Sequence, residues 1–149
     1  MTEHDQEMDQ NHQPEQELRQ QGWVEQPDVG PFVQLIGPLW RRESDQGIEY
    51  GLSVQRKHLN SNGIVHGGLL MTLLDQVISH VIWDVGDRTP MATIDMDTHF
   101  IDAVRQGDWI IASAKVQRRT RSLVFVEGQL NVGPRLVLSG QAIMKLRTN

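Results

Sequence analysis

The chain has 149 residues, of which 38% are hydrophobic and 22% charged, and a formal net charge of −5 at pH 7. This length suits one domain, and the composition is that of a globular chain without a fibrous or disulfide-scaffold bias. The charge is local, because residues 1–21 carry six acidic side chains and one basic one, whereas the remainder carries 13 of each. We therefore expect neither nucleic acid nor an anionic membrane as a partner.

The chain contains no cysteine, which excludes a disulfide framework, a cysteine nucleophile and a thiolate metal site. Its first residues are acidic and glutamine-rich, where a secretory signal needs a basic start and an apolar run. The most apolar stretch, residues 69–83, is interrupted by polar side chains. We expect a cytoplasmic protein in which residues 1–21 form a disordered acidic tail and residues 22–149 a single domain.

Two strands are predicted first along the chain. Residues 32–41 form the first candidate, interrupted at Gly37 and Pro38, and residues 48–54 alternate apolar with polar side chains. Such alternation is typical of a strand with one buried face.

A long helix is predicted next. Its apolar residues recur at helical spacing and form a wide stripe: Leu69, Leu70, Leu73, Leu74, Val77, Ile78, Val81 and Ile82. A stripe of this width requires burial on most sides of the helix. Asp75 falls on the opposite, polar side with Thr72, Gln76 and Ser79.

Four further strands are predicted over residues 91–101, 108–117, 123–132 and 136–146. Short turns join them, which favours an antiparallel meander. The expected fold class is therefore α+β, with an antiparallel sheet wrapped around one long central helix. Because one curved sheet leaves edges to be covered, we expect at least a homodimer.

The segment that leads into the helix carries the candidate site. Asn60 stands six residues before His66, which is followed by Gly67 and Gly68, and Asp75 lies nine residues after His66. Two glycines let the backbone approach a ligand, and the first helical turn presents unpaired N–H groups at the positive end of the helix dipole. This arrangement suits a developing oxyanion. A nearby carboxylate is then a candidate general base or nucleophile.

These spacings, together with the strand Ala-Thr-Ile-Asp-Met at residues 92–96, resemble the hotdog-fold acyl-CoA thioesterases. The nearest resemblance is to the branch that includes the phenylacetate-degradation (PaaI-like) thioesterase, and it covers residues 32–146. It implies the hotdog fold and a dimer whose active sites lie between two subunits. The sequence does not decide between a dimer and a tetramer.

The resemblance also implies a role for each site residue. The thioester carbonyl would bind at the backbone N–H of Gly67, His66 would orient that turn, and Asn60 would hold the carbonyl or the attacking water. Asp75 of the partner subunit would activate water or attack the carbonyl itself. Thr93 matches a position where some relatives have serine, and its hydroxyl would position the water.

Alternation along the strand adds an expectation about Thr93. Its side chain should share one polar face with Asp95, Asp97 and His99, because successive side chains point to opposite faces. For those three the simpler interpretation is a face exposed to solvent or to a second dimer.

Three arginines form a basic group in the predicted turn between two late strands. By the resemblance, Arg118, Arg119 and Arg121 would contact the phosphates of coenzyme A, with Gly68 also in the substrate site. A solubilising hairpin turn is the alternative. Thr120 stands where relatives often have glycine, so we expect a different turn here.

The leading hypothesis is an acyl-CoA thioesterase that hydrolyses an acyl- or aryl-CoA thioester to the free acid and CoA. The reaction needs a positioned water, a base and an oxyanion site, so no cofactor is expected beyond the CoA of the substrate. The alternative is a non-catalytic acyl-CoA binding or sensing protein of the same fold, but a pure binder has no need of Asp75. A hydratase or dehydratase would need an acid/base pair on the acyl chain. A metal site at His66, His80 and His99 fits no recognised ligand spacing.

Overall fold

The computed structural model describes residues 14–147. The elements of this part of the chain, in order, are α1 (Glu15–Gln20), β1 (Val24–Glu25), α2 (Pro31–Ile36), β2 (Trp40–Ser44), β3 (Gly47–Ser53), a 3₁₀ turn (Arg56–His58), α3 (Gly67–Val85), β4 (Met91–Phe100), β5 (Trp109–Arg119), β6 (Leu123–Val132) and β7 (Arg135–Leu146). The strands form one antiparallel sheet in the order β1-β2-β3-β5-β6-β7-β4. The predicted α+β class is confirmed.

The central helix α3 packs its apolar side against the sheet. All eight residues of the predicted stripe are buried, and they form one core with the inner side chains of the strands. Among the described residues, α3 is the one helix long and apolar enough to cross a membrane by length and composition. Its buried side chains instead belong to the core of the domain, which is what a wide apolar stripe predicts.

Two glycines let α3 approach the middle of the sheet. Gly128 of β6 and Gly140 of β7 are direct partners in the sheet. A Cβ atom at Gly128 would lie 2.7 Å from Leu74 Cδ1, and one at Gly140 would lie 2.8 Å from Leu74 Cδ2. Because both distances are too short for real carbon contacts, this glycine pair creates the space into which Leu74 packs.

The predicted strand over residues 32–41 is wrong in its first half, where α2 forms. Pro31 occupies the start of this helix, where its fixed φ and its missing N–H carry no cost. Val33 is buried and Ile36 packs on the core three residues later, a helical spacing that an apolar run does not distinguish from a buried strand. The second half belongs to β2, and the strand predicted over residues 48–54 is β3.

The predicted meander is correct for β5, β6 and β7 but wrong for β4. β4 pairs with β7 and lies at one end of the sheet. Residues 101–108 are the connection from β4 to β5, and they cross from the sheet edge to its middle. Because β4 is the last strand in the sheet order, one of its edges has no strand partner among the described residues, and most residues of β4 are exposed.

The predicted disorder of residues 1–21 is wrong for residues 14–21, while residues 1–13 lie outside the described residues. Leu18 of α1 is 0% exposed and packs with Trp23 and Trp40. The cluster also includes Trp109, whose ring meets that of Trp23 edge-on with centroids 5.1 Å apart. We call residues 14–23 the N-terminal strap. Leu18 and Trp23 dock the strap, because Trp40 and Trp109 of the sheet supply the apolar partner surface.

Candidate active site

The site begins in a tight loop just before α3. Leu59 and Val65 form an antiparallel bridge, and the N–H of Asn60 donates to the carbonyl of Ile64 at 2.7 Å. The side-chain Oδ1 of Asn60 accepts from the N–H groups of Asn62 at 2.9 Å and Ile64 at 3.3 Å. Since the loop uses the oxygen of Asn60, its Nδ2 amide is the group left to donate to a substrate.

His66 caps the start of α3. Its Nδ1 accepts from the N–H of Gly68 at 2.8 Å, and its carbonyl accepts from Leu69 at 3.0 Å. The N–H of Gly67 has no acceptor within residues 14–147. The helix therefore presents the amide of Gly67 to a ligand, at the positive end of its dipole. The amide of Gly68 is already used by His66, although Gly68 itself is exposed.

Phe100 covers this turn, and the sequence did not single it out as a site residue. A Cβ atom at Gly67 would lie 3.1 Å from Phe100 Cε1. Phe100 pairs with the buried Leu138, which places it on the α3-facing side of β4, and it is 55% exposed. Glycine at position 67 thus leaves room for the ring beside the open amide.

Asp75 and Thr93 are brought together from α3 and β4. The hydroxyl of Thr93 donates to Asp75 Oδ1 at 2.6 Å, and Asp75 is half-buried. A short hydrogen bond to a carboxylate fixes the orientation of that carboxylate. The Thr93 oxygen keeps a lone pair with which it can accept from water.

A β-bulge explains how Thr93 reaches α3. Thr93 pairs with Met144 and Asp95 with Ile143, so Ile94 is skipped in the register. The prediction that Thr93 shares a face with Asp95 is therefore wrong. Thr93 lies on the face of the buried Met144, whereas Asp95 lies on the outer face. One extra residue in a strand re-aims a side chain in this way.

One chain does not bring the whole predicted site together. Asp75 lies eight positions after Gly67 on α3, which is about 12 Å along the axis at 1.5 Å per residue. A base acts within hydrogen-bond reach of the reacting atoms. The Gly67 amide and the Asp75 carboxylate of the same chain therefore cannot serve one thioester carbonyl.

The three arginines of the β5–β6 hairpin lie at the other end of α3. Arg118, Arg119 and Arg121 are exposed, and Arg119 forms an ion pair with Asp87 at 3.2 Å. Thr120 closes the hairpin through hydrogen bonds with Leu123. Arg88 is the one non-glycine residue of the described chain with a positive φ, so the turn forms without the backbone conformation that would require glycine at Thr120.

A polar network that the sequence did not reveal lies towards the C-terminal end of α3. The hydroxyl of Tyr50 donates to Asp84 Oδ2 at 2.7 Å, and Arg41 Nε donates to the same oxygen at 3.3 Å. His80 lies edge-on to Tyr50 and forms a 2.7 Å hydrogen bond with Gln76. Burial lowers the pKa of His80 and raises that of Tyr50, so both are neutral near pH 7. The sequence gives little sign of this network, because Arg41 and Tyr50 lie far along the chain from its members on α3.

The described residues contain no group of three or more His, Cys, Asp or Glu side chains that could hold a metal ion. His66 caps α3 through its ring, His80 belongs to the polar network, and His99 lies on the outer face of β4, opposite Ser139. The expectation that these three histidines do not form a metal site remains a prediction for the whole chain.

Comparisons with known proteins identify the family. The model of the thioesterase superfamily matches residues 62–137. The Pseudomonas aeruginosa protein PA0474, named as a candidate esterase, is 30% identical over 118 residues, which are 78% of this chain and 88% of that protein. Human acyl-coenzyme A thioesterase 13 is 27% identical over 100 residues, 66% of this chain and 71% of that one.

A solved structure supports the same conclusion for the fold. Zebrafish thioesterase superfamily member 2 superposes with a TM-score of 0.72 at 24% identity, and the match covers 80% of this chain and 89% of that one. The expected hotdog fold is confirmed. The chain thus belongs to the thioesterase superfamily and is a thioester hydrolase.

Proposed function

We propose that this protein is an acyl-CoA thioesterase that converts an acyl- or aryl-CoA thioester to the free acid and CoA. The observation that carries the proposal is the Asp75 carboxylate, held at 2.6 Å by Thr93 on the half-buried polar side of α3 in a domain of the thioesterase superfamily. The human relative named as an acyl-coenzyme A thioesterase supports CoA as the thiol component. No cofactor takes part in the proposed reaction.

The proposed chemistry follows from the two halves of the site. The thioester carbonyl accepts a hydrogen bond from the Gly67 N–H, and Asn60 Nδ2 donates to the carbonyl or to the water. Water held by Thr93 attacks the carbonyl carbon while Asp75 takes its proton, and the electron pair of the C=O bond moves to the oxygen beside Gly67. Collapse of this oxyanion expels the CoA thiolate, which then takes a proton. The developing negative charge is stabilised by the helix N-terminus that His66 caps.

Asp75 has a second possible role as the nucleophile. In that case its carboxylate attacks the carbonyl carbon and expels the thiolate, and water then hydrolyses the resulting anhydride. Turnover in oxygen-18 water tests the nucleophilic role. Label recovered in the Asp75 carboxylate identifies the nucleophile, because a general base exchanges no carboxylate oxygen.

We propose that the complete site forms between two copies of the chain. The separation of about 12 Å between Gly67 and Asp75 along one helix is bridged if the Asp75 carboxylate comes from the partner subunit. The exposed edge of β4, which pairs with no other strand of residues 14–147, supports a homodimer. Its apolar side chains Ile94 and Phe100 are 56% and 55% exposed, and a partner subunit at this edge would cover them.

The arginines of the β5–β6 hairpin are proposed to contact the CoA phosphates. Arg119 contacts Gly86 and Asp87, about 16 Å beyond Asp75 along α3 at 1.5 Å per residue. The arginines of this hairpin are therefore far from the Gly67 turn of their own chain. In a shared site they would serve the same substrate as the Asp75 of their own subunit, with the acyl carbonyl held by the other subunit.

The first test is the release of free thiol from a panel of aryl- and aliphatic-CoA thioesters. Asp75→Asn should lower kcat by about 10²- to 10⁴-fold, the usual contribution of a general base. Asp95→Asn is the matched control, because it makes the same change on the outer face of β4 and should keep wild-type activity. Tight acyl-CoA binding without turnover, in a folded wild-type protein, would favour the non-catalytic binding protein instead.

The second test is complementation between inactive variants. Gly67→Val fills the space beside Phe100 and blocks the oxyanion site, whereas Asp75→Asn removes the carboxylate. Random mixing of equal amounts should restore about a quarter of the wild-type activity, because half the dimers are heterodimers and each has one intact site. Heterodimers of confirmed composition without activity would place each site within one chain.

A further inference from the structure

His58 is a buried histidine with both ring nitrogens occupied. It is 3% exposed, its Nδ1 accepts from the N–H of Gln55 at 2.9 Å, and its Nε2 lies 2.6 Å from the carbonyl oxygen of Ile36. A carbonyl oxygen only accepts, so Nε2 carries the proton and Nδ1 does not. Burial lowers the pKa of His58, which agrees with a neutral ring in this single tautomer.

His58 connects two segments that are otherwise distant in the chain. Ile36 ends α2, and the next residue, Gly37, accepts from Lys57 Nζ at 2.9 Å. The Gln55–His58 turn is thereby fixed to the end of α2 from two adjacent positions. The position of this turn is set by a buried side chain and not by local chain geometry alone.

His58 is also hydrogen-bonded to the turn at the start of α3. The backbone carbonyl of His58 accepts from the N–H of His66 at 2.9 Å, and the His66 ring in turn accepts from Gly68 at 2.8 Å. A continuous series of hydrogen bonds therefore runs from the end of α2, through His58 and His66, to the first turn of α3. The amide of Gly67 lies within that turn.

We propose that His58 is a positioning residue for thioester hydrolysis, which fixes the His66 turn so that the Gly67 N–H points at the reacting carbonyl. The proposal rests on the proposed function of this site. His58 does not touch the substrate. It acts through the placement of its own carbonyl beside the N–H of His66, and the two ring hydrogen bonds keep that carbonyl in place.

The test replaces His58 by leucine, which keeps apolar volume but makes neither ring hydrogen bond. We expect kcat to fall about 10- to 100-fold with little change in KM, because a shift of about 1 Å at a reacting group has an effect of this size. His58→Gln should recover part of the loss, since its amide can still donate to the Ile36 carbonyl. The amide hydrogen of His66 should exchange faster in the leucine variant, as measured by NMR.

Tyr50→Phe is the control for a purely structural effect. Tyr50 is 1% exposed and loses its hydrogen bond to Asp84 on this change, towards the other end of α3 from the His66 turn. It should lower the melting temperature without changing kcat or the exchange at His66. An equal loss of kcat in Tyr50→Phe and His58→Leu would overturn the proposal, as would wild-type kcat and His66 exchange in His58→Leu.

The exchange measurement also separates this proposal from the proposed function. If the wild-type protein hydrolyses no thioester in the panel, the proposed function fails on its own. Faster exchange at His66 in His58→Leu would still show that His58 fixes the turn that presents the Gly67 N–H, independently of the ligand that this N–H binds. Turnover by the wild type with unchanged kcat in His58→Leu would refute the positioning role alone.

Discussion

The N-terminal strap provides a direct test of how this domain is stabilised. Leu18 is 0% exposed among Trp23 and Trp40. Leu18→Ala removes three buried carbon atoms, which at about 0.8 kcal/mol per methylene amounts to about 2.4 kcal/mol of lost transfer free energy. The cavity that remains adds to this loss. Undocking of the strap limits the total loss of stability, because a short helix can detach while the main core stays folded.

We therefore expect Leu18→Ala to lower the free energy of unfolding by about 2–3 kcal/mol, and the melting temperature by about 8 °C for a chain of this length. The measurements are urea unfolding followed by tryptophan fluorescence, and differential scanning calorimetry. Leu35→Ala is the matched control, because Leu35 also lies in a six-residue helix but is 73% exposed. It should change stability by less than about 0.5 kcal/mol.

A deletion of residues 1–21 that leaves the melting temperature and the fluorescence of Trp23 unchanged would show that the strap does not dock. An intact strap predicts a loss of stability for the deletion at least as large as that of Leu18→Ala. In the deletion variant, Trp40 should also become accessible to quenching by iodide.

Three further outcomes are expected. Thr93→Val should lower kcat about tenfold or more while leaving the fold intact, because Asp75 loses the hydrogen bond that orients it; unchanged steady-state kinetics would contradict that role. The free energy of unfolding should fall as the pH drops below about 6.5, because burial lowers the pKa of His80 in the folded state and protons then bind the unfolded chain preferentially. The same pH dependence in His80→Gln as in the wild type would show that His80 does not contribute to it. Gly51→Ala should destabilise the domain by about 1–3 kcal/mol, because its Cβ would overlap the Trp109 ring, and wild-type thermal unfolding would disprove the overlap.

The sequence was most informative where one segment carried its own pattern. The eight buried residues of α3 were predicted by helical spacing alone, and β3, β5, β6 and β7 were predicted close to their observed bounds. The order of Asn60, His66, Gly67 and Asp75 also indicated the family, because all four lie within one short stretch of chain. Local periodicity and spacing are sufficient to predict such features, because the residues that define them lie close together in the sequence.

The tertiary structure decided the features that depend on distant partners. The bulge at Ile94 turns Thr93 towards Asp75, and strict alternation placed it on the wrong face. Leu18 and Trp23 are buried because the sheet presents Trp40, and His58 Nε2 has a partner because the end of α2 lies beside it. The sequence by itself determined the core helix, most of the strands and the site segment. The fold determined which side chains meet, because a hydrogen bond or a buried contact between remote residues produces no periodic pattern in the sequence around either residue.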